Sequence, residues 1–247
     1  MGSTIDFIIP DVNDSTDIIT NAYVNVPEGP GPFPGVVVAF HKDGIDDFTK
    51  WVVDDLAGNG YAAIAPNHYH ALPPGMDIER RREFLADEQM ALDLKSAAVW
   101  LEGQKKVDGD RLALLGHCMG GRTTWLGIIS WPKLFKCGCP FYSGNTFGQV
   151  GSLPPPATRM DANNAPVMGF FGNDDTNPSP EDVDRLEEIL MGLEKEHEFH
   201  RYDGAGHAFM GGLKYREHAA RDAWTKTLKF LSKHIGGHAP DVASVFQ

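Results

Sequence analysis

The chain has 247 residues, of which 42% are hydrophobic and 23% are charged, a composition ordinary for a globular protein. It carries 22 basic and 34 acidic residues, and the net charge of −12 opposes binding to nucleic acid or to an anionic membrane surface. No apolar run approaches the ~18 residues of a membrane span, and the N-terminal residues lack the pattern of a secretory signal. Because three cysteines make no disulfide framework, we expect a cytoplasmic protein, with a single domain over residues 1–247.

The apolar runs of the chain predict a sheet. Two N-terminal segments, residues 5–10 and 21–26, are expected to pair as an antiparallel hairpin at its edge. Four continuous apolar runs are typical of strands buried on both faces: residues 35–39, 61–65, 111–115 and 167–171. A more polar run, residues 198–202, suits a strand nearer the sheet edge.

Segments of helical spacing lie between these runs, with apolar residues three or four positions apart. The stripes are Phe48, Val52 and Leu56; Met90, Leu94, Ala97 and Leu101; Val183, Leu186, Leu190 and Leu193; and Trp224, Leu228 and Leu231. Alternation of strands and helices predicts an α/β fold, a mostly parallel, doubly wound sheet with helices on both faces. In such folds ligands bind outside the carboxyl ends of the strands.

A candidate nucleophile follows the strand that ends at Leu115. Residues 116–121 read GHCMGG and precede a predicted helix over residues 122–130, which is the strand–turn–helix context of a nucleophile elbow. A residue at the apex of so tight a turn needs small neighbours, and the helix N-terminus favours thiolate at Cys118. The amide of Met119 would then face a forming oxyanion. The alternative is a buried cysteine in a glycine-rich turn.

A thiol nucleophile needs a base and an acid that orients the base. His207 lies in a glycine-rich loop between the last predicted strand and the last helix, at the same sheet edge as Cys118. Asp174 and Asp175 directly follow the strand over residues 167–171, and the residues alone leave open which of them would face His207. Either aspartate could instead cap the helix that begins near Pro180.

The chain from the strand at Val36 onward resembles the dienelactone hydrolase family of α/β-hydrolases. The matching segments are GYAA (60–63), PNHY (66–69), ERRRE (79–83), GHCMGG (116–121), FGNDD (171–175) and GAGHAF (204–209). The resemblance implies a triad of Cys118, Asp175 and His207. It also places an oxyanion loop on residues 40–44, so that the Lys42 amide would join that of Met119.

The chain departs from this family at two positions. The family usually has a glutamate where this chain has His41, and we hypothesise that a protonated His41 stabilises the Cys118 thiolate. A solvated loop histidine is the alternative. The best-known members bind a substrate carboxylate with two arginines, of which one matches Arg82 and the other falls on Gly211. A neutral or smaller ester therefore fits as well as a carboxylated lactone.

The predicted function is cysteine-dependent hydrolysis of activated carboxylic esters or lactones through a thioester, without cofactor or metal. Besides Arg82, five aromatic residues are expected to bind substrate as an apolar pocket wall. They are Phe40, Tyr69, Trp125, Tyr142 and Phe209. The partner is thus a small-molecule substrate of a monomer or homodimer.

Two other functions remain open from sequence. His41, His68 and His70 would lie at one sheet edge, and three histidines with one open position could hold a catalytic zinc ion. A non-catalytic, hydrolase-like binding module is the second. Cys137 and Cys139 also suggest metal ligands, but two cysteines in an apolar strand are expected to be inert core residues.

Overall fold

The computed structural model describes residues 1–13, 16–73 and 76–237, and over this part of the chain eight strands form one sheet. The strands are β1 (Ser3–Pro10), β2 (Asp17–Asn25), β3 (Phe33–Ala39), β4 (Ala62–Pro66), β5 (Val107–His117), β6 (Cys137–Phe141), β7 (Val167–Gly172) and β8 (His197–Tyr202). The α-helices are α1 (Asp47–Gly58), α2 (Asp87–Glu102), α3 (Met119–Ser130), α4 (Pro180–Gly192) and α5 (Glu217–Ile235).

The spatial order of the strands is β1-β2-β4-β3-β5-β6-β7-β8. β1 and β2 form an antiparallel hairpin at one edge, β2 is antiparallel to β4, and all other neighbours are parallel. The predicted edge hairpin, mostly parallel sheet and edge position of β8 are therefore confirmed. The prediction of a single domain over residues 1–247 reaches into residues 238–247, which lie outside the described part, and it stays a prediction.

Side chains of the central strands alternate between two hydrophobic layers, as the two-residue period of a strand requires. Val36 and Val38 of β3 pack with α1 and α5 on one face, whereas Val37 packs with α2, α3 and α4 on the other. Both faces of the sheet are thus covered by helices, which confirms the predicted α/β-hydrolase architecture. Within the described part of the chain, none of the helices has the length and apolar character that a membrane crossing requires.

The parallel strands bring distant parts of the chain to one edge of the sheet. The loops after β3, β4, β5, β7 and β8 all leave from carboxyl ends that lie side by side. These loops carry Lys42, Tyr69, Cys118, Asp175 and His207 respectively. The fold therefore assembles the candidate site from five separate loops.

Candidate active site

Cys118 lies at the sharp turn between β5 and α3. Its φ of 58° is in the left-handed region, which costs a residue with a side chain about 1–3 kcal/mol and persists where the surroundings enforce it. The enforcement comes from close backbone approaches at two glycines. A Cβ atom at Gly116 would overlap the carbonyl oxygen of Gly120, and one at Gly120 would overlap that of Ala39. The small residues around the cysteine are required by this turn.

The imidazole of His207 connects Cys118 to Asp175. Nε2 of His207 is 2.9 Å from Sγ of Cys118, and Nδ1 is 2.9 Å from Oδ2 of Asp175. The Asp175 side chain is 1% exposed, and its Oδ1 accepts a hydrogen bond from the amide of Asn177 at 2.9 Å. Asp174 is exposed, and the cap of α4 is Ser179. The aspartate that faces His207 is therefore Asp175.

The environment of these groups favours a thiolate–imidazolium pair. Burial raises the pKa of the Cys118 thiol, but the hydrogen bond and charge of His207 and the amides of Met119 and Lys42 lower it more, so the net pKa is below the ordinary value. Burial lowers the pKa of His207, but the hydrogen bonds to Asp175 and Cys118 outweigh it and raise the pKa to about 9. Both shifts favour the charged forms.

Two backbone amides converge on Cys118 from different elements. Met119 is the first residue of α3, and Lys42 lies in the loop after β3; the backbone amides of both lower the pKa of Cys118. Donors fixed in this way can stabilise negative charge that develops next to the sulfur. The arrangement matches an oxyanion hole with one donor on a helix and one on a loop.

His41 does not have the position that the thiolate hypothesis requires. Its Nδ1 is 3.3 Å from Oδ2 of Asp43 and its Nε2 is 3.0 Å from Oδ1 of Asp46, although the second contact lacks the angle of a good hydrogen bond. Its ring packs edge-on against Phe48. Since both nitrogens face carboxylates, the hypothesis of a direct ion pair between His41 and Cys118 is corrected: the ring belongs to the oxyanion loop.

A cavity of about 380 Å³ opens onto Cys118 and His207. Arg82, in the 3-10 helical segment Ile78–Phe84, lines it and is exposed. Its neighbours Arg80 and Arg81 pair with Glu83 and Asp43, whereas Arg82 makes no ion pair with a described residue. Apolar lining comes from Leu85, Met90 and Val150. Glu79 and Glu83 also line the cavity, which therefore combines an apolar wall with carboxylates and with one cation, Arg82, that has no carboxylate partner within the described chain.

Four of the five predicted wall aromatics lie in the core. Phe40, Trp125, Tyr142 and Phe209 are at most 2% exposed and do not line the cavity. Their assignment to the pocket wall is corrected, because the hydrophobic layers above and below the sheet take up these rings. Tyr142 packs edge-on against His207, with 5.2 Å between the ring centroids, and so supports the imidazole from the core side. The fifth, Tyr69, is half-buried beside Lys42.

The three histidines of the zinc hypothesis contact different carboxylates. His68 Nδ1 and His70 Nε2 both contact the buried carboxylate of Asp93, at 2.8 and 3.1 Å, whereas His41 faces Asp43 and Asp46. Within residues 1–13, 16–73 and 76–237, no three His, Cys, Asp or Glu side chains are arranged to hold a metal ion. The side chains do not fit the proposed zinc site.

The sequence did not point to a buried ion pair beside the nucleophile. Arg122, in the first turn of α3, donates to both carboxylate oxygens of Asp87, at 2.6 and 2.9 Å, and through Nε to the carbonyl of Asn145 at 2.9 Å. It also lines the cavity. An arginine on a helix that is otherwise uncharged is the one signal that could have indicated this pair.

Comparisons with known proteins identify the family and agree with this fold. The model of the dienelactone hydrolase family matches residues 20–235. A candidate carboxymethylenebutenolidase of Methylorubrum extorquens is 31% identical over 221 residues, which cover 85% of this chain and 75% of that protein. The carboxymethylenebutenolidase of Rhodococcus opacus is 26% identical, covering 86% of each. The crystal structure of a candidate dienelactone hydrolase from Klebsiella pneumoniae superposes with a TM-score of 0.82 at 27% identity, covering 94% of this chain and 99% of that one. The chain belongs to the dienelactone hydrolase family and is an ester or lactone hydrolase with the α/β-hydrolase fold.

Proposed function

We propose that the protein hydrolyses activated carboxylic esters or lactones through a thioester on Cys118, with His207 as acid and base and Asp175 as its orienting acid. The observation that carries this proposal is the continuous contact from sulfur to imidazole to buried carboxylate, 2.9 Å at each step. The lowered pKa of Cys118 and the raised pKa of His207 both favour the thiolate–imidazolium pair, which supports a nucleophile that its neighbours activate.

In the acylation step, the Cys118 thiolate attacks the carbonyl carbon of the substrate and forms a C–S bond. The carbonyl oxygen becomes an oxyanion, which the amides of Met119 and Lys42 would stabilise. As the C–O bond to the leaving group breaks, His207 donates its Nε2 proton to the departing oxygen. The products of this step are a thioester, a neutral imidazole and an alcohol, which remains on the same molecule when the substrate is a lactone.

In the deacylation step, neutral His207 removes a proton from water as the water oxygen attacks the thioester carbonyl. The second tetrahedral intermediate breaks its C–S bond and releases the carboxylic acid. The thiolate of Cys118 and the imidazolium of His207 are thereby restored, so no net charge or proton is left on the enzyme. Throughout, Asp175 would hold the imidazole with Nδ1–H towards the carboxylate.

The leaving group and the cavity narrow the substrate class. From a tetrahedral intermediate a thiolate departs more readily than an alkoxide, so enol esters, aryl esters and enol lactones are favoured. Carboxymethylenebutenolide, which the relatives' names contain, is a carboxylated lactone. Arg82 would bind such a carboxylate with its planar guanidinium, and Leu85 and Met90 would contact the apolar part.

The test is a panel of aryl esters and enol lactones measured with wild type, Cys118→Ala and Cys118→Ser. Mass spectrometry of the quenched wild type should show a thioester adduct on Cys118, and Cys118→Ala should lose at least about 1,000-fold in kcat/KM. Cys139→Ala is the matched control, since burial raises the pKa of that thiol far above its ordinary value. Full activity of Cys118→Ala would refute the proposal.

A reducing compartment such as the cytoplasm suits this chemistry. Cys118, Cys137 and Cys139 are all free thiols in the structure, and oxidation of Cys118 would remove the nucleophile. The proposal therefore includes a cytoplasmic location, which reversible loss of activity on mild oxidation would support.

A further inference from the structure

The phenol of Tyr69 contacts both residues whose amides face the sulfur. Its Oη donates a hydrogen bond to the carbonyl oxygen of Lys42 at 2.9 Å and lies 3.7 Å from Sδ of Met119. Lys42 and Met119 are 77 residues apart in the chain and belong to different elements. Tyr69 thus connects the loop donor to the helix donor.

We propose that Tyr69 is a positioning residue that fixes the Lys42 amide relative to the Met119 amide, and thereby sets the geometry of the oxyanion hole. This inference rests on the proposed function, because it assigns Tyr69 a role in the same acyl-transfer site. It also replaces the sequence-based role of Tyr69 as a substrate-binding wall residue.

The two donors differ in how firmly their own elements hold them. Met119 lies in the first turn of α3, which the interior of the protein packs on several sides. Lys42 is exposed in a loop whose turn is closed by the Gly44 amide on the His41 carbonyl at 3.0 Å. Among the contacts of the described residues, the Lys42 carbonyl accepts from Tyr69 alone. The loop donor therefore depends on the phenol for its position.

The phenol is itself held in place on three sides. The ring of Phe40 lies 5.2 Å away, between centroids, and the guanidinium of Arg81 lies 4.8 Å above the Tyr69 ring. Arg81 also donates to Asp43 at 3.2 Å, which attaches the same cation to the oxyanion loop. The amide of Tyr69 donates to Oδ1 of Asn67 at 2.9 Å. Because these contacts hold the Tyr69 ring in place, its hydroxyl can fix the position of the Lys42 carbonyl instead of moving together with the oxyanion loop.

The phenol also remains a donor at working pH. Burial raises the pKa of Tyr69, and the nearby charges of Arg81 and Arg82 lower it by less, so the net pKa lies above its ordinary value. The hydrogen bond to the Lys42 carbonyl is therefore kept across the neutral and mildly alkaline range.

The variant that tests this role is Tyr69→Phe, which keeps the ring and its stacking but removes the hydroxyl. We expect kcat on an aryl ester to fall about 10- to 100-fold, less than the full loss of an oxyanion donor, with KM changed less than about 2-fold. Tyr23→Phe is the matched control, since the hydroxyl of Tyr23, on β2, donates to Asp54 of α1 at 3.0 Å and neither residue lines the cavity. It should leave kcat unchanged.

A second measurement separates positioning from a general structural role. The Lys42 amide lowers the pKa of Cys118, so a displaced amide should raise the pH midpoint of Cys118 alkylation by iodoacetamide. We expect an upward shift of about half a pH unit in Tyr69→Phe and none in Tyr23→Phe. An unfolded chain would expose all three thiols and alkylate with the midpoint of an ordinary thiol, so the midpoint is read at Cys118 in protein that circular dichroism shows to be folded and in which Cys137 and Cys139 stay unlabelled.

Arg81→Gln is the second variant if Tyr69→Phe does not fold. It removes the contacts of the guanidinium with the Tyr69 ring and with Asp43 but leaves the phenol unchanged. It should lower kcat several-fold in the same direction. A folded Tyr69→Phe enzyme with wild-type kcat and an unshifted alkylation midpoint would overturn the role of Tyr69. Failure of the proposed function gives a different result: wild-type Cys118 would alkylate no faster than an ordinary thiol, and Cys118→Ala would stay active.

Discussion

The guanidinium of Arg122 and the carboxylate of Asp87 form a bidentate ion pair in which both side chains are almost fully buried, at 4% and 0% exposure. This pair links the start of α3, which carries Met119, to the start of α2. A further hydrogen bond from Arg122 Nη2 to the carbonyl of Gly148 ties it to the loop that lines the cavity. A buried ion pair therefore stabilises the start of α3, where Met119 lies, and the cavity lining next to it.

Replacement of Asp87 by alanine should destabilise the protein by about 3–5 kcal/mol, because it leaves the Arg122 cation buried without its carboxylate. Urea unfolding followed by circular dichroism measures this change. Arg80→Ala is the control, since the Arg80–Glu83 pair is exposed and its loss should leave the midpoint unchanged. An equally small effect of Asp87→Ala would show that water reaches Arg122.

The pH dependence of kcat/KM should be bell-shaped. Activity is expected to rise as Cys118 ionises, at a lower pH than an ordinary thiol because its pKa is lowered, and to fall as His207 loses its proton near pH 9. The two limbs belong to the coupled pair rather than to either residue alone. The falling limb should flatten for aryl esters whose leaving group needs no proton. A rising limb at or above the pKa of a free thiol would contradict the thiolate–imidazolium pair.

Asp175→Asn should lower kcat by at least about 100-fold, since the amide cannot hold the imidazolium or fix its Nδ1–H. Because Asp175 raises the pKa of His207, its loss should also move the falling limb to lower pH. Asp174→Asn is the matched control, because Asp174 is exposed and it is Asp175, the next residue, that faces His207. Equal losses in the two variants would refute the assignment.

Much of this site could be predicted from the sequence, because short segments next to each triad residue specify the turn or the strand end on which that residue lies. The glycines around Cys118 mark a tight turn, and the predicted strands before Cys118, Asp175 and His207 place all three at carboxyl ends of parallel strands in one sheet. The choice of Asp175 over Asp174 needed either the family resemblance or the coordinates, since one step along a loop reverses which side chain points inward.

Other features depend on contacts that no local pattern encodes. Phe40 and Phe209 flank the site in sequence, yet their rings turn into the hydrophobic layers, where burial of a large apolar side chain is worth about 1.5–3 kcal/mol. His41 pairs with carboxylates two and five positions further along the same loop, and Arg122 pairs with a residue 35 positions away. Periodicity shows which residues are apolar but not which polar groups meet.

His41→Gln separates the loop role of this histidine from a direct effect on the nucleophile. Since its ring faces Asp43 and Asp46, we expect the pH midpoint of Cys118 alkylation to move by less than about 0.2 units, a small change on the scale of a lost charge partner. The melting temperature should fall by about 2–4 °C, as expected for the loss of roughly 1 kcal/mol. A large upward shift of the alkylation midpoint would restore the hypothesis that His41 stabilises the thiolate.

Arg82 provides the sharpest test of substrate class, because it is the cavity cation that has no ion-pair partner among the described residues. Arg82→Gln should raise KM about 10-fold for an ester or lactone that carries a carboxylate and leave KM for the neutral analogue within about 2-fold, since a single charge-assisted contact contributes about 1.5–3 kcal/mol. Arg80→Gln serves as the control, because Arg80 is exposed and already paired with Glu83. If the two substrates lose affinity equally, Arg82 shapes the cavity but does not recognise charge. If neither changes, the carboxylate binds elsewhere, and the natural substrate is better sought among neutral esters that occupy the apolar wall of Leu85 and Met90.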